Sequence, residues 1–330
     1  MSVDLASRSV GGSVVAASDE SFGFKEYLIE PSEPAFVPGT YDLRGEVVDG
    51  WETRRHTGGD WAIVRLGVGG RLHAIDVDTR FFTGNHPTGC RIDACVLDPV
   101  AEATAATVPW TTVVETVALK SDSHNVFAVD DPRRYTHVRL HLESDGGVAR
   151  LRVYGDVIAD PVLWAGVTVE VSGVEQGGRV EWSSDDFYSD ASALIAPDRP
   201  RTMGDGWETR RRRDIGPDTH DAAVISFAVP ADLARLEIDT SRFVFNASRE
   251  VAVLGTRAWP IDRHAPFDVE VLARTRIAAD ARQVFVVNAK DIAALRVQAY
   301  PDGGLARVRA FGTPTADGMV QLQTRWEASA

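Results

Sequence analysis

Asp49-Gly-Trp-Glu-Thr-Arg-Arg55 returns 156 residues later as Asp205-Gly-Trp-Glu-Thr-Arg-Arg211. Working outward, three more anchors repeat in the same order. Gly11-Gly12 with Ser18-Asp19-Glu20 matches Gly177-Gly178 with Ser184-Asp185-Asp186 at an offset of 166. Asp78-Thr79 with Phe82 and Asn85 matches Asp239-Thr240 with Phe243 and Asn246 at 161. Asp145-Gly-Gly-Val-Ala-Arg150 matches Asp302-Gly-Gly-Leu-Ala-Arg307 at 157. Ordered anchors with drifting offsets describe a duplicated domain whose loops differ in length. The expected halves are residues 1–158 and 159–330, with Asp160-Pro161 in the join.

Within each half the apolar period is two. Val138, Leu140 and Leu142 alternate with Arg139 and His141, and Leu236 and Ile238 alternate with Glu237 and Asp239. After the turn signal Asp145-Gly-Gly147, Arg150, Arg152 and Tyr154 share one face, and Leu151 and Val153 the other, as in half-buried antiparallel strands. Further strands are expected at 61–66, 72–77, 113–119 and 284–287, and short helical turns at 122–127 and 291–294. The fold class is all-β: two tandem jelly-roll-like antiparallel β-sandwiches.

Composition narrows the function. The chain has 330 residues, 44% hydrophobic and 25% charged, with 35 Lys plus Arg against 48 Asp plus Glu and a net charge of −13. That acidity disfavours nucleic acid and anionic membrane surfaces as partners, and obliges an anionic substrate to find a local basic pocket. No apolar run approaches the roughly 18 residues of a membrane span, and a cytoplasmic location is expected. Cys90 and Cys95 fall on opposite faces of one strand and are not expected to pair.

The densest polar cluster is the heptapeptide with His56 and Asp60. Gly50 is expected to permit a sharp turn that converges alternate side chains. Glu52 and His56, with Asp49, are the candidate catalytic residues, and Arg54, Arg55 and Arg65 the candidate carboxylate forks. The competing reading is a salt-bridged turn in which Asp49, Glu52 and Asp60 neutralise the arginines. Asp78, Thr79 and Asn85 are candidate hydrogen-bonding residues, although Asp78-Thr79 equally reads as a strand-end cap. His124 lies in a polar turn, either reaching a site or merely exposed. No metal site is expected: of His56, His73, His86, His124, His137, His141, His220 and His264, none forms a tight ligand box. His137 and His141 stand roughly 13 Å apart on a strand. A loosely bound divalent cation at Asp76 and Asp78 stays open; no cofactor is expected. Arg210–Arg213 reads as a solvated or salt-bridged loop, and dinucleotide, phosphate-loop and Gly-x-Ser-x-Gly motifs are missing.

The heptapeptide with His56, then Asp60-Trp61, Asp78-Thr79, Phe82-Thr-Gly-Asn85 and the Asp145–Gly155 hairpin resemble the allantoicase family, over about residues 4–312. The resemblance implies domains similar to galactose-binding modules, hydrolysis of allantoate to ureidoglycolate and urea in purine breakdown, and a homo-oligomer. A tandem module that binds sugars or anions without turnover is the alternative. The repeats differ where His56 becomes Arg212, Trp61 becomes Ala222, Arg65 becomes Ser226 and Gly84 becomes Phe245, a residue expected to close the second cavity. The active pocket is therefore expected to be lined by the first repeat, with the second as support or one wall; the intact second heptapeptide leaves a shared cleft open as the alternative. The pocket requires the Trp51 segment and the Phe82–Asn85 bend to meet around a positively lined hollow.

Overall fold

The computed structural model describes residues 3–330 except 44, 99–100, 105–106, 214–215, 260 and 262–264; His264 lies outside the described residues. The described chain divides into two compact units, one comprising residues 3–158 and 328–330, the other residues 159–327.

The first repeat contains β1 (Val3–Asp4), β2 (Ser13–Ala17), β3 (Tyr41–Asp42), β4 (Gly45–Glu46), β5 (Trp51–Glu52), β6 (Trp61–Asp78), β7 (Gly89–Cys95), β8 (Thr111–Ala118), β9 (His124–Ala128), β10 (Arg134–Leu142), β11 (Gly147–Val148) and β12 (Arg150–Val157). All the pairings are antiparallel, and β6 organises them. Its first part, residues 61–65, pairs with β2 and β10, and β10 continues to β7 and β8. Its last part, residues 70–78, pairs with β12 and β9. One 18-residue strand thus turns a corner from one sheet layer into the other. Gly67 and Gly70 sit at the corner, where a Cβ would lie 2.1 Å from the Val10 carbonyl oxygen and 2.3 Å from that of Asp156. The layers enclose Val64, Leu72, Ile75, Val138, Leu140, Leu151 and Val153, all inaccessible to solvent. Burial alternates over residues 138–142 of β10 as the period-two reading requires, and the alternation breaks at His137, beside a register shift in the pairing with β6.

The second repeat follows the same plan. Its strands are β13 (Val169–Glu170), β14 (Arg179–Ser183), β15 (Trp207–Glu208), β16 (Asp221–Asp239), β17 (Glu250–Thr256), β18 (Val269–Arg276), β19 (Arg282–Tyr300), β20 (Gly304–Leu305) and β21 (Arg307–Pro314). Strand β16 turns the corner between Ser226 and Ala231 without glycine, and Pro230 stands there, where the ladder with β19 is interrupted. A terminal helix, Ala316–Ala328, packs Leu322 against Trp164, Ala228 and Val229.

Both expected helical turns are strands. Residues 124–128 pair with Asp78–Ala74 of β6, because Asp122 adopts a left-handed φ of 46° that starts a turn into β9 instead of a helix. Residues 291–294 lie inside β19. There Asp291, at φ 58°, forms a bulge whose N–H donates to Asp232 Oδ1 at 2.9 Å. Cys90 and Cys95 are free and buried, and burial pushes both thiols up to about 12, which suits neither for nucleophilic work.

One polar group ties the loops to this scaffold. Arg150 opens β12 and is almost wholly buried. Its guanidinium donates to the carbonyls of Ser32, Asp49 and Ala149 at 3.0, 2.9 and 2.7 Å, and to the Asp49 carboxylate at 2.9 Å. Arg307 repeats this with Asp198, Asp205 and Ala306. The solvent-facing side expected for Arg150 and Arg152 is instead covered by the distant segment that carries Glu30 and Ser32. Arg150→Met would leave these acceptors unpaired and should cost about 2–4 kcal/mol in urea unfolding. A loss below about 0.5 kcal/mol would contradict the role given to this side chain.

Candidate functional site

Trp51 fixes the position of the heptapeptide. Its ring is fully buried, its Nε1 donates to the Asp19 carbonyl at 2.8 Å, and β5 pairs with β11. Gly50 does not supply a left-handed turn. A Cβ there would meet the Phe82 ring at 2.8 Å and the Ala149 backbone at 2.9 Å, so the residue is small for close packing. Gly147 is tighter still, with the Phe82 ring 1.9 Å from where its Cβ would be. Phe82 therefore locks the 79–85 bend against both β5 and β11.

The bend is built by Asp78 and Thr79. Asp78 Oδ1 accepts from the Arg80 N–H at 2.9 Å, and Thr79 Oγ1 donates to the Lys120 carbonyl at 2.6 Å. Phe81 is held at φ 70° with its N–H on Asp122 Oδ1. Asp239, Thr240, Arg242 and Asp280 repeat all of this. At the end of the bend, Asn85 Nδ2 donates to Glu52 Oε1 at 2.5 Å. The Trp51 segment and the Phe82–Asn85 bend thus meet.

They wall an open hollow of about 500 Å³. Glu52, Arg55 and Asn85 line it with Phe22, Glu46 and Val48. Glu46 and Val48 come from a stretch that the second repeat lacks: between Asp19 and Asp49 the offset falls from 166 to 156, so the first repeat carries ten more residues there. A Cβ on Gly84 would meet nothing within 4 Å, which leaves that side open. Burial raises the Glu52 carboxyl above its ordinary range, against the opposing pull of the Asn85 hydrogen bond and the Arg55 charge. A carboxyl kept protonated more easily than usual can donate a proton to a bound ligand.

The other candidate residues are engaged elsewhere. Asp49 binds Arg150 and accepts from the Ala35 N–H at 2.9 Å. Arg54 turns outward to Asp19, with Nε 3.2 Å from its carboxylate. His56 Nε2 lies 3.0 Å from Asp60 Oδ2, and His56 is not on the wall of the hollow. Arg65 donates to Ser13 Oγ and the Gly11 carbonyl on β6. Asp78 and Thr79 cap the bend, as their strand-end reading has it, and Arg80 pairs with Asp78. His124 Nδ1 lies 2.6 Å from Asp76 Oδ2, and the Asn125 N–H donates to Asp76 Oδ1. Among the described residues no three His, Cys, Asp or Glu side chains gather as a metal site, and no helix is long and apolar enough to cross a membrane.

The hollow is not positively lined. Among its described wall residues, Arg55 faces three acids, Glu46, Glu52 and Asp145. Nor does Phe245 close the second repeat. It stands 95% exposed at the rim of a hollow of about 280 Å³, where Asn246 Nδ2 donates to Glu208 Oε1 at 2.5 Å. Sequence reasoning missed Phe22, Glu46 and Val48, which come from outside every shared anchor except the Ser18–Glu20 stretch that Phe22 follows.

The raised Glu52 carboxyl carries a sign. The native state holds this proton more tightly than the unfolded chain, so its share of stability is full below the ordinary carboxylate range and is lost as pH rises through the raised value. Glu52→Gln keeps an acceptor for Asn85 and removes that loss. Its melting temperature relative to the parent chain should therefore rise between about pH 4 and about pH 7. A difference that stays constant or falls across this range would contradict the desolvated carboxyl.

The allantoicase repeat matches residues 3–158 and again 169–315. A probable allantoicase of Nocardia farcinica is 43% identical over 316 residues, covering 94% of this chain and 93% of its own. One from Streptomyces coelicolor is 39% identical, covering 98% and 88%. The crystal structure of Saccharomyces cerevisiae allantoicase superposes with a TM-score of 0.79 at 29% identity, covering 94% of this chain and 93% of that one. Two repeats matched along nearly the whole length, and a solved fold that follows both, place the chain in the allantoicase family.

Proposed function

We propose that the chain hydrolyses allantoate to ureidoglycolate and urea, and that the first-repeat hollow is where it does so. The observation that carries the site is the half-buried Glu52 carboxyl, raised by desolvation, held by Asn85 and opening onto a hollow with one guanidinium. Family membership supports the reaction.

Allantoate has one carboxylate and two ureido groups on a single carbon. Arg55 is the one described cation on the wall, and it takes the carboxylate through its planar fork. The Glu52 acid protonates the departing ureido nitrogen while the lone pair of the other ureido nitrogen forms a C=N bond to the central carbon, and the electron pair of the breaking C–N bond leaves with the protonated nitrogen. Urea leaves, and the carbon becomes an acyl-iminium. The Glu52 carboxylate then takes a proton from the attacking water, whose oxygen bonds to that carbon as the iminium pair returns to nitrogen. Glu52 ends protonated, as it began. Asn85 fixes the carboxyl orientation, and Phe22 and Val48 supply apolar walls that limit water. Asp49 acts one step back, by holding the loop through Arg150. His56 and Asp60 flank the heptapeptide and take no direct part.

Purified chain incubated with allantoate should release urea, with glyoxylate formed on acid treatment of the other product. Glu52→Gln should lower kcat by about 10²–10⁴-fold, the range of a lost general acid. Arg55→Lys should chiefly raise KM, because an ammonium cannot form two parallel hydrogen bonds. Saturable allantoate binding with no urea released would return the chain to the alternative of a non-catalytic binding module.

A further inference from the structure

The second-repeat hollow differs from the first in charge more than in architecture. Its floor is the same: Trp207 is buried with Nε1 on the Asp185 carbonyl at 2.9 Å, and the Glu208–Asn246 pair has the geometry of Glu52–Asn85. Its walls are basic. Arg211, Arg212 and Arg249 border it against Glu208 and Asp302. At the position of His56, Arg212 is tied to Asp221, with Nη2 2.6 Å from Oδ1. Arg249 stands where the first repeat has Thr88. Among the described residues, neither the Arg211 nor the Arg249 side chain has a hydrogen-bonding or ionic partner, although both border the same concavity.

A solvated arginine loop would need no hollow beneath it and no repeated amide–carboxylate floor. Two unpartnered guanidiniums over such a floor are instead complementary to one small anion. A carboxylate spans the guanidiniums, and the remaining group of the ligand meets Asn246 and Glu208, which together offer an N–H donor and a carboxylate acceptor, the pair that a ureido group satisfies.

We propose that the second-repeat hollow is a separate binding site for a small carboxylate carrying a single ureido group, which it holds without cleaving it. Size supports one ureido group over two, since the hollow is about 280 Å³ against about 500 Å³ and lacks the added wall of Glu46 and Val48. Chemistry supports holding over cleaving. The two unpartnered guanidiniums, Arg211 and Arg249, are permanent cations that stabilise an anion without supplying a proton. The product of the reaction proposed above belongs to this ligand class; that consequence, and only that one, rests on the reading of the first hollow.

The probe is N-carbamoylglycine, a carboxylate with one ureido group and no second nitrogen to expel urea. Isothermal titration into the full chain should show two binding events per chain. Arg211→Gln combined with Arg249→Gln should weaken one event at least about tenfold, the loss of a charged hydrogen bond, and leave the other. Arg55→Gln should do the reverse. Both arginines of the double variant are exposed and unpartnered, so it keeps the fold. A single event abolished by Arg55→Gln and indifferent to the double substitution overturns the inference and leaves the first hollow as read. A single event abolished only by the double substitution upholds the inference and overturns the reading of the first hollow. No detectable heat at millimolar probe overturns the inference.

Discussion

A buried guanidinium at the start of one strand holds each half of the protein in working order. Arg150 collects three carbonyls and a carboxylate, and two of those acceptors belong to Asp49, the first residue of the repeated heptapeptide. An unpaired charge at that depth costs several kcal/mol, so the loop is obliged to stay where it satisfies the arginine. Two residues on, Trp51 sinks into the core and leaves Glu52 at the surface of the hollow. Phe82, fitted against Gly50 and Gly147, brings Asn85 to the same point from 33 residues away. Arg307, Trp207 and Phe243 perform the same sequence of constraints in the second half.

Duplication of this frame leaves the walls free to diverge. In the first half, ten added residues bring Glu46 and Val48 to the rim and build a larger, acid-rich hollow around a desolvated carboxyl. In the second, the same amide–carboxylate floor is ringed by arginines. On the readings proposed above, one hollow serves proton transfer and the other holds an anion. A single guanidinium serves an anionic substrate more readily where burial raises the neighbouring carboxyl, because the protonated form adds no repulsion.

The duplication, the all-β class and the meeting of the two loop segments were legible because each leaves a local mark: an identical heptapeptide, a period of two, a paired anchor at Asn85 and Asn246. Other features leave none. Asp122 and Asp291 look like residues of polar helical turns, yet both adopt left-handed φ and serve strands, a choice made by ladder pairing with distant residues. Alternation assigned Arg150 and Arg152 to an outer face, and a loop from over 100 residues away covers that face. The recurrence of both as Arg307 and Arg309 was the available clue, since a solvated arginine has no reason to repeat. Within the heptapeptide, nearness in sequence misled. Arg54 and Arg55 are adjacent, and the chain direction sends one to Asp19 and the other to the hollow. Asp78 and Thr79 satisfy backbone groups at a strand end, as their residue types favour.

Catalysis as proposed requires substrate to meet Glu52 in the first hollow. Crystals of the Glu52→Gln variant soaked with allantoate address this directly, because a chain that binds without turnover should retain the intact diureide. The ligand should lie in the first hollow, its carboxylate on the Arg55 fork and a ureido nitrogen within about 3 Å of the substituted side chain and Asn85. Intact allantoate bound only elsewhere on the chain, with the first hollow empty, would contradict the account.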